Sequence, residues 1–188
     1  MPVIDVLDST MAYEDQGAGT PFVFLHGNPT SSYLWRRVLP GIGEGARCLA
    51  PDLIGMGASG KPDIAYRFAD HARYLDAWSD ALALDGVVLV GIDWGGSLAF
   101  DWAARHPDRV RAVAFMETIV RPMTWDDFPG EARPRFEALR TPGVGETKVL
   151  EENFFIERAL RVIVLSGLSD DDLDVFFNDT ATPESRRP

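Results

Sequence analysis

The sequence predicts an α/β fold with a doubly wound, mostly parallel sheet. Three observations carry that expectation: apolar runs at residues 22–25 and 87–90, a repeat of the strand signal at 110–116, and helical periodicity between the runs at 68–84 and 94–105. Strand and helix in alternation imply βαβ units. At 188 residues and 46% hydrophobic content, the chain suits one globular domain with a sizeable core.

In chain order, residues 3–7 and 11–14, split by Asp8-Ser9-Thr10, read as an opening hairpin. Residues 22–25 form a buried strand ending at His26-Gly27, and residues 47–50 another ending at Pro51-Asp52. Between them, residues 31–39 are expected to be helical, closed by Pro40-Gly41. The 68–84 stretch places Phe68, Leu75, Trp78 and Leu82 at helical spacings, so it is an amphipathic helix for a sheet face, and Asp85-Gly86 then turns the chain. After the strand at 87–90 comes a helix from Trp94 and a further strand to Met116. Beyond Met116 the texture changes: Pro122, Pro129, Pro134 and Pro142 punctuate short helical patterns at 132–139, 150–160 and 170–176, with no further parallel-strand signal. The expected organisation is the amino-terminal part of a core over 1–121 and an incomplete helical cap region over 122–188. The chain stops at Pro188 inside that insertion, which reads as a fragment. No internal repeat or low-complexity tract is present.

Charge narrows the partners. There are 29 Asp+Glu against 18 Lys+Arg, a formal charge of -11, and no basic run offsets it, so nucleic acid and anionic bilayers are poor partners. The single cysteine, Cys48, forms neither an internal disulfide nor a thiolate cluster. The Met1-Pro2-Val3-Ile4-Asp5 start lacks the basic and apolar regions of a signal peptide, and no apolar run reaches the roughly 18 residues of a spanning helix. A cytoplasmic setting follows as the expectation. With no ligand cluster and no phosphate loop, neither metal nor organic cofactor is implied.

The segment Val87-Val88-Leu89-Val90-Gly91-Ile92-Asp93-Trp94-Gly95-Gly96 carries the chemistry. A strand runs through Gly-x-Asp-x-Gly into a helix, which is a nucleophile elbow with Asp in place of Ser. Its glycines are needed because the central residue sits on a sharp, strained turn whose neighbours leave no room for a Cβ. Asp93 also stands at a helix amino end, where backbone N–H groups and the dipole favour an anion. A serine attacking saturated carbon would leave an ether that oxyanion donors cannot help to cleave. A carboxylate leaves an ester, which a base-activated water hydrolyses in a second step. Asp93 therefore points to alkyl halides or epoxides. The bland alternative, a helix-capping Asp, does not explain glycines on both sides after a buried strand.

On four segments the chain resembles the haloalkane dehalogenases of the α/β-hydrolase fold. They are His26-Gly27-Asn28-Pro29-Thr30-Ser31-Ser32-Tyr33-Leu34-Trp35-Arg36, Pro51-Asp52-Leu53-Ile54-Gly55-Met56-Gly57-Ala58-Ser59-Gly60-Lys61-Pro62, the elbow, and Phe115-Met116-Glu117 with Arg121-Pro122-Met123-Thr124-Trp125. The resemblance implies a doubly wound α/β-hydrolase sheet with a partial helical cap, its last strands and helices missing. It implies Asp93 as nucleophile, Glu117 as triad acid of an Asp-His-Glu subfamily, Asn28 and Trp94 as halide holders, and backbone N–H groups of Asn28 and Trp94 as the oxyanion hole. The expected partners are a small haloalkane, water and halide ion, in a protein monomeric when complete. The residues suit these roles: a leaving halide needs N–H donors that do not titrate, which a carboxamide and an indole supply. Each also has a plainer reading, Asn28 as a turn residue before Pro29, Trp94 as an apolar anchor, and Glu117 as a lone carboxylate past a strand end.

The departures are equally specific. The three histidines are His26, His71 and His106, and none follows Glu117, although the base of this fold comes after the acid in chain order. His26 beside a strand end reads as structural, His71 lies in an amphipathic helix, and His106 near a helix end before Pro107 reads as solvated or facing the helix dipole. The hydrolytic base is therefore missing. At 175–181 the chain reads Val175-Phe176-Phe177-Asn178-Asp179-Thr180-Ala181, unlike the family's usual Tyr-Arg and Pro-Phe pairs, and Ile92 replaces its frequent His. Trp125, Phe128, Phe136, Phe154 and Leu160 are candidates for lining a substrate tunnel. Two rivals stand beside the dehalogenase reading. An epoxide hydrolase shares fold and nucleophile, but would need cap tyrosines, and Tyr13, Tyr33, Tyr66 and Tyr74 all precede Thr118. A non-catalytic remnant would keep an unpaired edge at the 110–116 strand.

Overall fold

In the computed structural model, which describes residues 1–160, 164 and 167–188, six strands form one sheet in the order β1-β2-β4-β3-β5-β6. They are β1 (Val3–Val6), β2 (Ser9–Gly17), β3 (Thr20–Leu25), β4 (Ala46–Pro51), β5 (Val87–Ile92) and β6 (Val110–Met116). The hairpin β1–β2 is antiparallel, with Leu7 at φ 51° letting the chain reverse at Leu7-Asp8, one residue earlier than the sequence pattern placed it. Strand β2 also runs antiparallel to β4, whereas β4, β3, β5 and β6 are mutually parallel.

The apolar runs are explained by cover on both faces. Val23, Leu25, Leu49, Val87 and Leu89 join one buried cluster with Tyr74, Leu75 and Trp78 of helix α1 (Phe68–Ala81) and Leu98, Ala99 and Trp102 of helix α2 (Trp94–Arg105). Phe24, Cys48 and Ala50, one step out of phase, join Trp35 and Leu39 on the opposite face. Helix α1 begins where Arg67 N–H donates to the Asp70 carboxylate at 2.9 Å, half of a capping box. It ends at Ala81, short of the expected Leu84, because Ala83 takes φ 48°.

Two helical expectations fail for local reasons. Residues 31–39 form only short i→i+3 turns, Ser32–Trp35 and Leu39–Gly41. The Ser32 N–H is drawn to the Asp52 carboxylate at 2.7 Å, while Trp35 packs on Phe24 with ring centroids 5.3 Å apart. The 150–160 pattern is broken at Asn153, φ 48°, into π-type runs Thr147–Glu151 and Phe155–Leu160.

Contacts divide the chain into Met1–Val120 with Pro188, and Arg121–Arg187. In the second unit, helix Arg133–Leu139 follows the turn Trp125–Asp127, and helix Asp170–Asp179 starts at Ser169, whose Oγ accepts from Asp172 N–H at 3.1 Å. The atypical 175–181 segment has a physical anchor there. Phe176 is buried, Asn153 Nδ2 donates to Thr180 Oγ1 at 3.0 Å, and the Arg186 guanidinium donates to the carbonyls of Leu150 at 2.6 Å, Thr180 at 2.7 Å and Ala181 at 3.2 Å.

Candidate active site

Register brings three loops to one end of the sheet. Leu25 lies opposite Gly91, and Ile92 opposite Met116, so the residues just past β3, β5 and β6 meet at the carboxyl ends of three adjacent strands. The chain leaves β3 outward to β4 and returns to the other side at β5. This makes β3/β5 the switch point where open α/β sheets form their crevice.

Asp93 occupies φ 52°, ψ -127°, a conformation costly to any residue bearing a Cβ, and its side chain is exposed. The surroundings hold it there. Asn28 N–H donates to Asp93 Oδ1 at 3.0 Å. Asp93 N–H donates to Glu117 O at 3.1 Å, and Thr118 Oγ1 donates to Asp93 O at 2.5 Å. The glycines are steric necessities. A Cβ on Gly27 would collide with the Asp93 side chain, and one on Gly91 would stand 2.6 Å from Gly95 O and Gly96 N. One on Gly95 would enter the Leu25 and His26 carbonyls. Trp94 opens α2, and its indole packs against Phe68 (centroids 6.0 Å) and edge-on to His71 (5.6 Å, 79°). Among the described residues, neither the Asn28 carboxamide nor the Trp94 indole N–H has a protein acceptor. Glu117, at φ 44°, brings its backbone to Asp93 but leaves its carboxylate exposed.

None of the three histidines bonds to Asp93. His26 is fully buried: Nδ1–H donates to Gly27 O at 3.0 Å and Nε2 accepts from Leu53 N–H at 2.9 Å. Burial pushes this imidazole down, against the opposing pull of Asp52 and Asp93, so it is a neutral bracket between loops. His71 is buried with neither ring nitrogen hydrogen-bonded, and burial, reinforced by His26, lowers it to about 4. His106 pairs with Asp76 at 3.1 Å and stacks on Trp102 at 4.8 Å, away from the elbow.

Sequence reasoning gave Asp52 no role. It is buried, its two oxygens accept from Ser32 N–H at 2.7 Å and Ala58 N–H at 2.8 Å, and it ties the loop after β3 to the loop after β4. The Pro-Asp-x-x-Gly-x-Gly pattern was its signal, since Gly57 has no space for a Cβ beside that carboxylate. Thr118 was also passed over. The five tunnel candidates lie in the second unit, where Trp125, Phe128 and Phe136 stack in series at 5.3 and 5.1 Å, Phe154 packs on Phe155, and Leu160 is buried.

The chain is similar to known proteins along nearly its whole length. A family model described as the alpha/beta hydrolase fold matches residues 20–180. The haloalkane dehalogenase of Mesorhizobium japonicum is 56% identical over 189 residues, covering 98% of this chain and 61% of its own length. That of Bradyrhizobium diazoefficiens is 51% identical over 197 residues, covering 97% and 63%. The crystal structure of haloalkane dehalogenase DbeA from Bradyrhizobium elkani superposes with a TM-score of 0.96 at 50% identity, covering all of this chain and 66% of that one. The chain thus spans somewhat over three fifths of the length of the curated relatives it matches. With a strained acidic elbow between β5 and α2, and with haloalkane dehalogenases as its relatives along nearly its whole length, the chain belongs to the α/β-hydrolase fold family.

Proposed function

We propose that this chain carries the nucleophilic half of a haloalkane dehalogenase. The observation that supports it most is the Asn28 N–H on Asp93 Oδ1 at 3.0 Å, in a residue held at φ 52°. That contact leaves Oδ2 as the attacking oxygen. Oδ2 displaces halide from a saturated carbon: the C–O bond forms, the carbon–halogen bond breaks, and its electron pair departs with the halide. The Asn28 carboxamide and Trp94 indole N–H receive that ion without giving up a proton. In the resulting ester, Oδ1 is the carbonyl oxygen, already beside the Asn28 N–H, and the proposal takes the first-turn N–H of Trp94 as its second donor.

Glu117 is the acid of the triad in this reading, held ready for a histidine that the 188 residues do not supply. His26 is committed through both nitrogens, His71 is desolvated, and His106 serves Asp76. The chain by itself is therefore alkylated once and retains the ester. A cytoplasmic monomer with 122–188 as cap region completes the proposal for the longer protein. The cytoplasmic setting is supported by a buried free Cys48, and the cap region by the separate contact unit Arg121–Arg187.

The test is intact-mass measurement after incubation with 1-bromobutane. One butyl adduct on the native chain and none on Asp93→Asn is expected, with one equivalent of bromide released. Continuous bromide release by this chain would refute the stalled-ester reading, and no adduct would refute the nucleophile. Adduct formation from styrene oxide but not from 1-bromobutane would favour epoxide chemistry, a reading for which the tyrosine hydroxyls offer little support, since Tyr66 donates to Pro62 O and Tyr74 to Asp8.

A further inference from the structure

The main chain of Asp93 is gripped at both ends by two consecutive residues, and the second of them takes no part in the chemistry above. Glu117 O accepts the Asp93 N–H at 3.1 Å, and the Thr118 hydroxyl donates to Asp93 O at 2.5 Å. As the first carbonyl of α2, Asp93 O also accepts from Gly96 N–H at 3.2 Å and Ser97 N–H at 3.4 Å, so Thr118 adds a shorter contact from outside the helix. Its approach is prepared by the sequence, because a Cβ on Gly96 would stand 2.5 Å from Thr118 Oγ1 and 2.6 Å from its Cβ. Ser97 Oγ donates to Ile119 O at 3.0 Å and lies 3.3 Å from Thr118 Oγ1, fastening the same segment to α2 a second time.

We propose that Thr118 is a positioning residue for the nucleophile: its hydroxyl, on the Asp93 carbonyl, fixes the peptide plane that keeps Oδ1 on the Asn28 N–H and Oδ2 turned outward. The inference rests on the reading of Asp93 as nucleophile. With N–H and C=O both anchored to the end of β6, the only freedom left to Asp93 is in its side-chain torsions, and one carboxylate oxygen is already held. Near-attack geometry then costs little reorganisation. A hydroxyl is the group this place requires. An apolar side chain of the same shape would leave the Asp93 carbonyl to two long helical donors and let the plane rotate.

The experiment follows butyl-adduct formation against time at several 1-bromobutane concentrations for the native chain, Thr118→Val and Thr118→Ser. Thr118→Val should lower the maximal alkylation rate about tenfold, the loss of one hydrogen bond to a strained group. The half-saturating concentration should stay within about twofold, and Thr118→Ser should recover most of the rate. A general loosening of the fold would instead move both constants and would not be rescued by serine. Amide hydrogen exchange at Asp93 adds a readout that needs no substrate: Thr118→Val should exchange faster than the native chain, and Thr118→Ser should not. Unchanged alkylation kinetics and unchanged exchange in Thr118→Val would overturn the clamp. A native chain that takes no adduct would remove the nucleophile reading, while the exchange comparison still decides whether Thr118 holds the elbow.

Discussion

Strands β5 and β6 run side by side, end level with one another, and each delivers an acidic residue in the left-handed region, Asp93 at φ 52° and Glu117 at φ 44°. What holds the two residues is different. Strand β5 is paired on both sides, Val87 and Leu89 are buried, and its end is ringed by glycines whose missing Cβ atoms admit the neighbouring loops. Among the described residues β6 pairs with β5 alone, and Phe115 and Met116 on it are 52% and 44% exposed. Asp93 is fixed through N–H, C=O and one carboxylate oxygen, whereas Glu117 lends only its backbone and leaves its carboxylate in solvent. In the proposed function, an attacking group at Asp93 must be held before the substrate arrives, whereas a triad acid at Glu117 needs only to stand where its histidine can reach it.

The largest effect is expected at Gly95, where a Cβ would enter two carbonyls of β3 and the loop after it. Gly95→Ala should cost about 4 kcal/mol or more, because the Leu25 and His26 carbonyls cannot move without disturbing β3. Gly96→Ala should cost less, because there the obstacle is the Thr118 side chain, and Thr118→Ala in the same chain should recover part of the loss. Urea unfolding of the three variants decides this, and equal costs at Gly95 and Gly96 would break the argument from obstacle type.

Next comes pH. His71, beneath the Trp94 indole, titrates at about 4 when folded against 6.5 when unfolded. Between those values the unfolded chain binds more protons, so stability is full above pH 6.5 and falls as the pH drops, by about 3 kcal/mol at pH 4. His26, also lowered by burial, acts in the same direction. His71→Leu should flatten part of this slope. Urea midpoints at pH 7 and pH 4.5 that change as much in the variant as in the native chain would show that His71 does not contribute.

The smallest contrast is the most direct. Leu89→Ala on β5 should cost about 3 kcal/mol, while Phe115→Ala on β6 should cost about 0.5 kcal/mol despite the larger side chain, since Leu89 is 2% exposed and Phe115 half exposed. If Phe115→Ala proved as costly as Leu89→Ala, its edge-on contact with Phe100, at 4.9 Å, would be worth more than its exposure suggests.

The second unit repeats the lesson in another form. Its helices are short, Asn153 at φ 48° interrupts them, and one arginine, Arg186, collects carbonyls from residues 150, 180 and 181. Periodicity located the helix at 133–139 to within a residue but not the break at Asn153, because a side-chain bond to Thr180, 27 positions away, leaves no mark on local pattern. The 31–39 stretch failed in the same way, its amino end captured by Asp52. Strands β5 and β6 and helix α2 were legible, to within two residues at their ends, from apolar runs bounded by Gly and Pro.

The order of residues alone determined the alternation of strand and helix and the acidic elbow at Gly91 to Gly95, whose chemistry supports the proposed attack on saturated carbon. These are properties of short windows, where periodicity and residue type act directly. Which oxygen of Asp93 is held, that Glu117 O and Thr118 Oγ1 grip its backbone, and that Asp52 and His26 bracket the loops were decided only when the register of β3, β5 and β6 brought positions 28, 93 and 117 to one sheet end. Hydrogen bonds between residues so distant in the chain depend on strand pairing, and strand pairing is a property of the folded whole.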